Sequence, residues 1–231
     1  MKTKLTRLTR VRVQNFKAIG DSGSINLTPL TVLIGNNGSV KSSLVDALET
    51  VYECIVNNID VAMQLWRGIE HARNKAGGVS YATDENGELR SNKPMTFELQ
   101  GRLGQLRFRA GTAINERGGN NQLVFENESI EIGVGHLKRE RTSTTKRKGF
   151  FDQIWTSKEG TKKRAGSVIP PAESLLSIDL REYASTWQFL RLAPNVMGQP
   201  CHLSGERHLR LHGLLPPRIR CVESLSRVML R

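Results

Sequence analysis

The sequence predicts an α/β fold in which a mixed or antiparallel β-sheet surrounds the helix that follows a phosphate-binding loop. Three observations carry that prediction. An apolar run, Leu30-Thr-Val-Leu-Ile34, leads into a Gly/Asn-rich turn. An amphipathic stretch follows the turn at once. Beyond that stretch the chain breaks into short alternating segments separated by turn residues, as an antiparallel lobe over 79–155 requires.

The run at 30–34 is short and rich in β-branched residues, the pattern of a buried strand covered on both faces. The turn comprises Gly35, Asn36, Asn37, Gly38, Ser39, Val40, Lys41, Ser42 and Ser43. It follows the phosphate-loop pattern of Gly, four residues, Gly, Lys, Ser/Thr, except that Val40 occupies the position of the second Gly. Leu44, Val45, Leu48, Val51, Tyr52, Ile55 and Val56 recur at three- and four-residue steps, with Asp46, Glu49 and Glu53 on the opposite face. That spacing predicts a helix beginning near Lys41 and a strand–loop–helix unit spanning 30–56. Such a unit converges backbone N–H groups on an anion and places the positive end of a helix dipole beside it. In this chemistry Lys41 meets the β- and γ-phosphates of ATP and the Ser42 hydroxyl ligates Mg²⁺.

Val40 is the departure that matters. Gly serves such loops because it adopts positive φ freely, whereas a β-branched residue held there costs about 1–3 kcal/mol. On that reasoning nucleotide binding is weakened. The alternative is a backbone at Val40 already suited to valine, with a loop that works normally.

Taken in order, Val11-Arg-Val-Gln-Asn-Phe-Lys17, Ile25-Asn-Leu27, Leu30 through Ser39 and Ser43-Leu-Val-Asp-Ala-Leu48 resemble the N-terminus of RecF/SMC/OLD-like AAA ATPases. The cores of those proteins are similar to ABC-transporter heads. The resemblance covers about the first 55 residues closely and extends loosely to Gly198 through Trp187-Gln-Phe-Leu-Arg-Leu-Ala-Pro194. It implies a P-loop NTPase head lobe of ABC-ATPase type, here truncated, with residues 1–200 as the N-terminal part of the domain. It also implies ATP and Mg²⁺ as ligands, a head-to-head homodimer with two ATP molecules between the heads, and work in DNA repair or antiphage defence. By the same resemblance, Lys17 lies near the nucleotide.

Past the first helix, Asp60 to Lys75 reads as a second helix stopped by Gly77-Gly78. Strand-like pieces follow at Val79–Ala82, Met95–Leu99, Gln105–Arg109, Gln122–Phe125 and Ile130–Ile132. Turns at Asp84-Glu-Asn-Gly87 and Gly118-Gly-Asn-Asn121 separate them. His71 and His136 are isolated and read as surface residues.

No apolar strand ending in Asp-Glu follows the loop, so the carboxylates that hold Mg²⁺ and position water in a hydrolase are missing. Asp179 and Glu182 stand in a segment, Ser-Ile-Asp-Leu-Arg-Glu, unlike such a strand. Leu203-Ser-Gly-Glu-Arg207 is a chance likeness to the ABC signature, because Pro216-Pro217 and an Arg-rich end follow it. Hydrolysis by this chain alone is therefore not expected.

The formal charge of +12 and pI near 10.1 point to an anionic partner. Much of the excess clusters at Lys138 to Lys148 and Lys158 to Arg164, interleaved with Phe150, Phe151 and Trp155. On one face these residues would contact nucleic-acid phosphates and stack on bases. The bland reading is a solvated basic hairpin with its aromatics in the core. Hence the alternatives to an ATP-binding head: a basic nucleic-acid-binding module with a relic phosphate loop, or an inactive degenerate fragment.

An apolar content of 38 % with 24 % charged residues fits a soluble protein, and no stretch approaches the roughly 20 apolar residues of a membrane span. The first seven residues lack an apolar leader core, and Cys54, Cys201 and Cys221 have no metal-ligand spacing, so the cytoplasm is the expected compartment. The tail changes composition abruptly. Residues 201–231 carry six Arg and no Lys, although all twelve Lys lie at or before Lys163, and three of five His fall there too. Such a tail resembles translation in a shifted reading frame, which the coding DNA would reveal.

Overall fold

A computed structural model describes residues 6–34, 40–83, 87, 89–117, 122–133, 137–142, 150–157 and 160–189. In chain order the elements are β1 (Arg7–Phe16), β2 (Ile19–Asp21), β3 (Ile25–Asn26), α1 (Lys41–Val56), α2 (Ile59–Gln64) and α3 (Ile69–Ala72). Then come β4 (Tyr81–Thr83), β5 (Leu89–Ser91), β6 (Met95–Leu103), β7 (Leu106–Arg117), β8 (Gln122–Ile132), β9 (Leu137–Thr142), β10 (Phe150–Ser157), β11 (Gly160–Val168) and α4 (Ser177–Ala184). The class is mixed α/β. The sheet runs β11-β10-β9-β8-β7-β6-β1-β2, with every pairing among the described residues antiparallel.

Strand alternation explains which face is covered. Val11, Val13 and Phe16 of β1 point the same way as Phe97 and Leu99 of β6, Phe108, Ala110 and Ile114 of β7, and Ile130 of β8. Helix α1 supplies the other side of that core through Leu44, Ala47, Leu48, Val51, Cys54 and Ile55, the helical three- and four-residue steps read from the sequence. Truncating any one of the larger buried side chains to Ala would cost about 2–5 kcal/mol.

Gly101 shows how tightly β1 and β6 are joined. A β-bulge between Leu8 and Arg10 brings the Arg7 carbonyl over Gly101, and an added Cβ would lie 2.4 Å from that oxygen and 2.5 Å from the Phe108 ring. Only glycine fits there.

Two buried ionic clusters fasten the outer elements. Arg73 donates to Glu116 Oε1 at 2.7 Å and to Asn115 Oδ1 at 3.1 Å, and the Tyr81 hydroxyl donates to the same Glu116 oxygen at 2.5 Å. Burial raises the pKa of Glu116, but the hydrogen bonds from Tyr81 and Arg73 outweigh it and hold the carboxyl below its ordinary range. Further along, Glu128 accepts from Arg141, Ser174 Oγ (2.6 Å), Leu175 N (2.9 Å) and Thr112 Oγ1 (3.3 Å). This second cluster ties β7, β8 and β9 to the turn before α4.

Three expectations change. Residues 30–34 form no strand: Leu30, Val32 and Ile34 are exposed, while Leu33 packs against the core. An apolar run becomes a buried strand only where neighbours complete its hydrogen-bond ladder, and none among the described residues does so. The single helix expected over Asp60–Lys75 is two short ones, broken where Arg67 and Gly68 take φ of 60° and 109°. The strand pieces at 122–125 and 130–132 are one strand, β8, whose partner β7 is long enough to pair its whole length across a bulge.

Candidate functional site

Helix α1 opens at Lys41, at the predicted position. Residues Gly35 to Ser39, five of the nine expected phosphate ligands, lie outside the described residues, as does the tail from Cys201 onward. The remaining four are described. Val40 has φ −63° and ψ 1°, its carbonyl accepts from Leu44 N at 2.9 Å, and its side chain is exposed. A negative φ is ordinary for valine, so the objection based on left-handed strain does not apply to this backbone. Ser42 is exposed in the first turn, Ser43 is buried and Lys41 is half-buried with a partner.

The start of α1 has the electrostatics of an anion site. Val40 offers no side-chain cap, and the first turn holds no acid. Nothing in that turn therefore offsets the positive end of the helix dipole.

Lys17 is placed beside α1 by the β1–β2 turn. Its ammonium contacts Asp46 Oδ2 at 2.6 Å and stands 3.2 Å from the centre of the Trp66 ring. Trp66 in turn donates its indole N–H to Thr50 Oγ1 at 2.8 Å, and Thr50 donates to Asp46 O at 2.7 Å. Lys17 is thus anchored to the second turn of α1 by an ion pair and a cation–π contact. The resemblance implies a place for Lys17 near the nucleotide and says nothing of these partners.

Among the described residues no group of three or more His, Cys, Asp or Glu is set to hold a metal. Asp179 and Glu182 lie on α4, where Asp179 pairs with Arg139. His71 is exposed on α3, and Cys54 is a free, buried thiol whose pKa burial pushes upward.

The register of β9, β10 and β11 divides the expected basic patch between two faces. Lys138, Ile154 and Lys163 are in register, as are Arg139, Gln153 and Arg164, so that Lys138 and Arg139 fall on opposite faces of β9. Arg139 and Arg141 are committed to Asp179 and Glu128, and Lys138 meets Glu140 at 2.5 Å. Phe151 is buried. Lys146, Lys148 and Lys158 lie outside the described residues.

Fold and site together define a mixed α/β protein with a largely antiparallel sheet and a long helix that starts at a Lys-Ser-Ser sequence. Comparison with protein-family models, curated proteins and solved structures finds no match. No helix among the described residues is long and apolar enough to cross a membrane.

Proposed function

We propose that the chain binds ATP with Mg²⁺ through Gly35–Ser43, as the nucleotide-binding part of a RecF/SMC/OLD-like ATPase head. The observation that carries this reading is the start of α1. A 16-residue helix begins at Lys41 with an uncapped, acid-free first turn, an exposed Ser42 and a relaxed Val40 backbone. Lys41 would neutralise the terminal phosphates, Ser42 would ligate the metal, and the loop amides would hold the phosphate oxygens. Mg²⁺ bound there would offset phosphate charge.

Hydrolysis needs a carboxylate free to orient water; Asp46 in the second turn of α1 is held by Lys17, Asp179 by Arg139 and Glu128 by Arg141. The exposed row Leu30, Val32, Ile34 fits a head that gains a further strand from another chain or segment. The test is a thermal shift. Saturating Mg-ATP at about 100 times Kd stabilises a one-site binder by about 2.7 kcal/mol. The expected shift is lost in Lys41→Ala; an equal shift in both proteins, or none in the wild type, would reject the proposal.

A further inference from the structure

Among the described residues the face of the sheet opposite α1 carries no helix, and its chemistry is lopsided. Antiparallel register sets Arg7 of β1, Arg102 of β6 and Arg107 of β7 in one row. The next row along the strands is Arg10, Gln100 and Arg109. Adjacent strands lie about 4.8 Å apart and alternate residues about 6.7 Å apart along a strand, so five guanidinium groups crowd one end of the sheet. All five arginines are exposed. Arg10 donates to the neutral Asn26 Oδ1 at 3.0 Å. The acid in register with the group is Glu131 of β8, opposite Arg109 and itself engaged. Of the other acids that the register puts on this face, Glu98 and Asp21 lie toward Arg12, which pairs with Asp21 at 2.7 Å, and Glu140 and Asp152 lie beyond β8, where Glu140 pairs with Lys138.

Like charges directly opposite on neighbouring strands destabilise a sheet. Here three meet in a single row, with no acidic partner for Arg7, Arg102 or Arg107 among the described residues. No exposed aromatic side chain stands among them, so the face suits phosphates rather than unstacked bases. Sequence inspection misses this surface because its residues lie about a hundred positions apart and alternate with core residues.

We propose that Arg7, Arg10, Arg102, Arg107 and Arg109 form a docking face for the phosphate backbone of duplex nucleic acid, on the side of the sheet away from α1, where Lys138 of β9 continues the Arg109–Glu131 row. Recognition is independent of base sequence, and the partner supplies the negative charge that this row of arginines lacks among the described residues.

The experiment titrates the full chain into a fluorescent DNA duplex of about 20 base pairs of arbitrary sequence, from about 50 to 200 mM salt, followed by anisotropy. Arg102→Gln with Arg107→Gln is expected to weaken binding at least tenfold and to reduce the salt slope by about 2, one per lost phosphate contact. Arg102→Lys with Arg107→Lys, which keeps the charge, retains most of the affinity. Lys162→Gln, in the row of Phe108 on the other face of the sheet, and, separately, Lys41→Ala leave affinity and slope near wild type, so failure of the ATP reading would not be mistaken for failure of this one. If the double Gln variant does not fold, Arg109→Gln alone is expected to lower the slope by about 1. Wild-type affinity and slope in the Gln variants, an equal loss in the lysine control, or no wild-type binding at low salt would overturn the proposal. Capture of anionic lipid vesicles that duplex DNA does not displace would overturn it as well.

Discussion

Replacing Glu128 by Ala should be among the most damaging single changes available in this fold. Glu128 is 1 % exposed and is the acceptor shared by Arg141, Ser174 Oγ, Leu175 N and Thr112 Oγ1. Removing it leaves the Arg141 guanidinium, itself 5 % exposed, without a counter-charge, held by the Glu173 carbonyl at 2.7 Å, the Pro170 carbonyl at 3.4 Å and the Phe125 ring at 5.3 Å. Leaving one partner of a buried ion pair without its counter-charge costs about 3–5 kcal/mol. For a chain of this size each kcal/mol lowers Tm by about 2–4 °C, so Glu128→Ala should melt about 6–20 °C below wild type. The assay is thermal unfolding followed by circular dichroism, with urea unfolding as a second probe. A double-mutant cycle with Arg141→Ala separates the pair from its surroundings: the double variant should be less destabilised than the two single losses added together. Melting of Glu128→Ala within about 2 °C of wild type, or strict additivity in the cycle, would refute the reasoning.

Three further outcomes follow from other positions. Gly101→Ala would push a methyl group against the Arg7 carbonyl and the Phe108 ring, and should cost about 1–3 kcal/mol in urea unfolding; a neutral result would mean the bulge relaxes freely. Glu116 has a lowered pKa in the fold, so its contribution is present above the ordinary carboxylate value of 4.5 and is lost as pH falls through the lower folded value. Glu116→Gln should therefore be less stable than wild type near neutrality, with the gap narrowing below pH 4.5; a gap unchanged down to pH 2 would contradict this. Val40→Gly, at φ −63°, relieves no strain and should destabilise by about 0.5–1 kcal/mol through unfolded-chain entropy, read as a lower urea midpoint rather than a higher one.

Local periodicity makes α1 legible, because its apolar face is continuous from Leu44 to Ile55. The antiparallel lobe is legible as alternating strands between turn residues, though the polar run Glu126 to Ser129 makes β8 look like two pieces. Burial of Glu128 by cross-strand partners overrides that local polarity. Long-range pairing defeated the reading elsewhere. Nothing within Leu30–Ile34 says whether a neighbour will complete its ladder, and nothing near Arg139 or Arg141 reveals Asp179 and Glu128 as their partners. The Lys17–Asp46–Trp66 contact likewise joins three segments that only the β1–β2 turn and the α2–α3 break bring together. For the candidate site, residue types supplied the chemistry, while the φ of Val40 supplied what they could not: a backbone without strain.

The most direct test is an equilibrium titration of Mg-ATP against wild type, Val40→Gly and Lys41→Ala by calorimetry. A working phosphate loop with a relaxed Val40 predicts saturable binding in the wild type, similar affinity in Val40→Gly and loss of binding in Lys41→Ala. Absence of heat with all three proteins, or binding that appears only when Val40 is replaced by Gly, would contradict it.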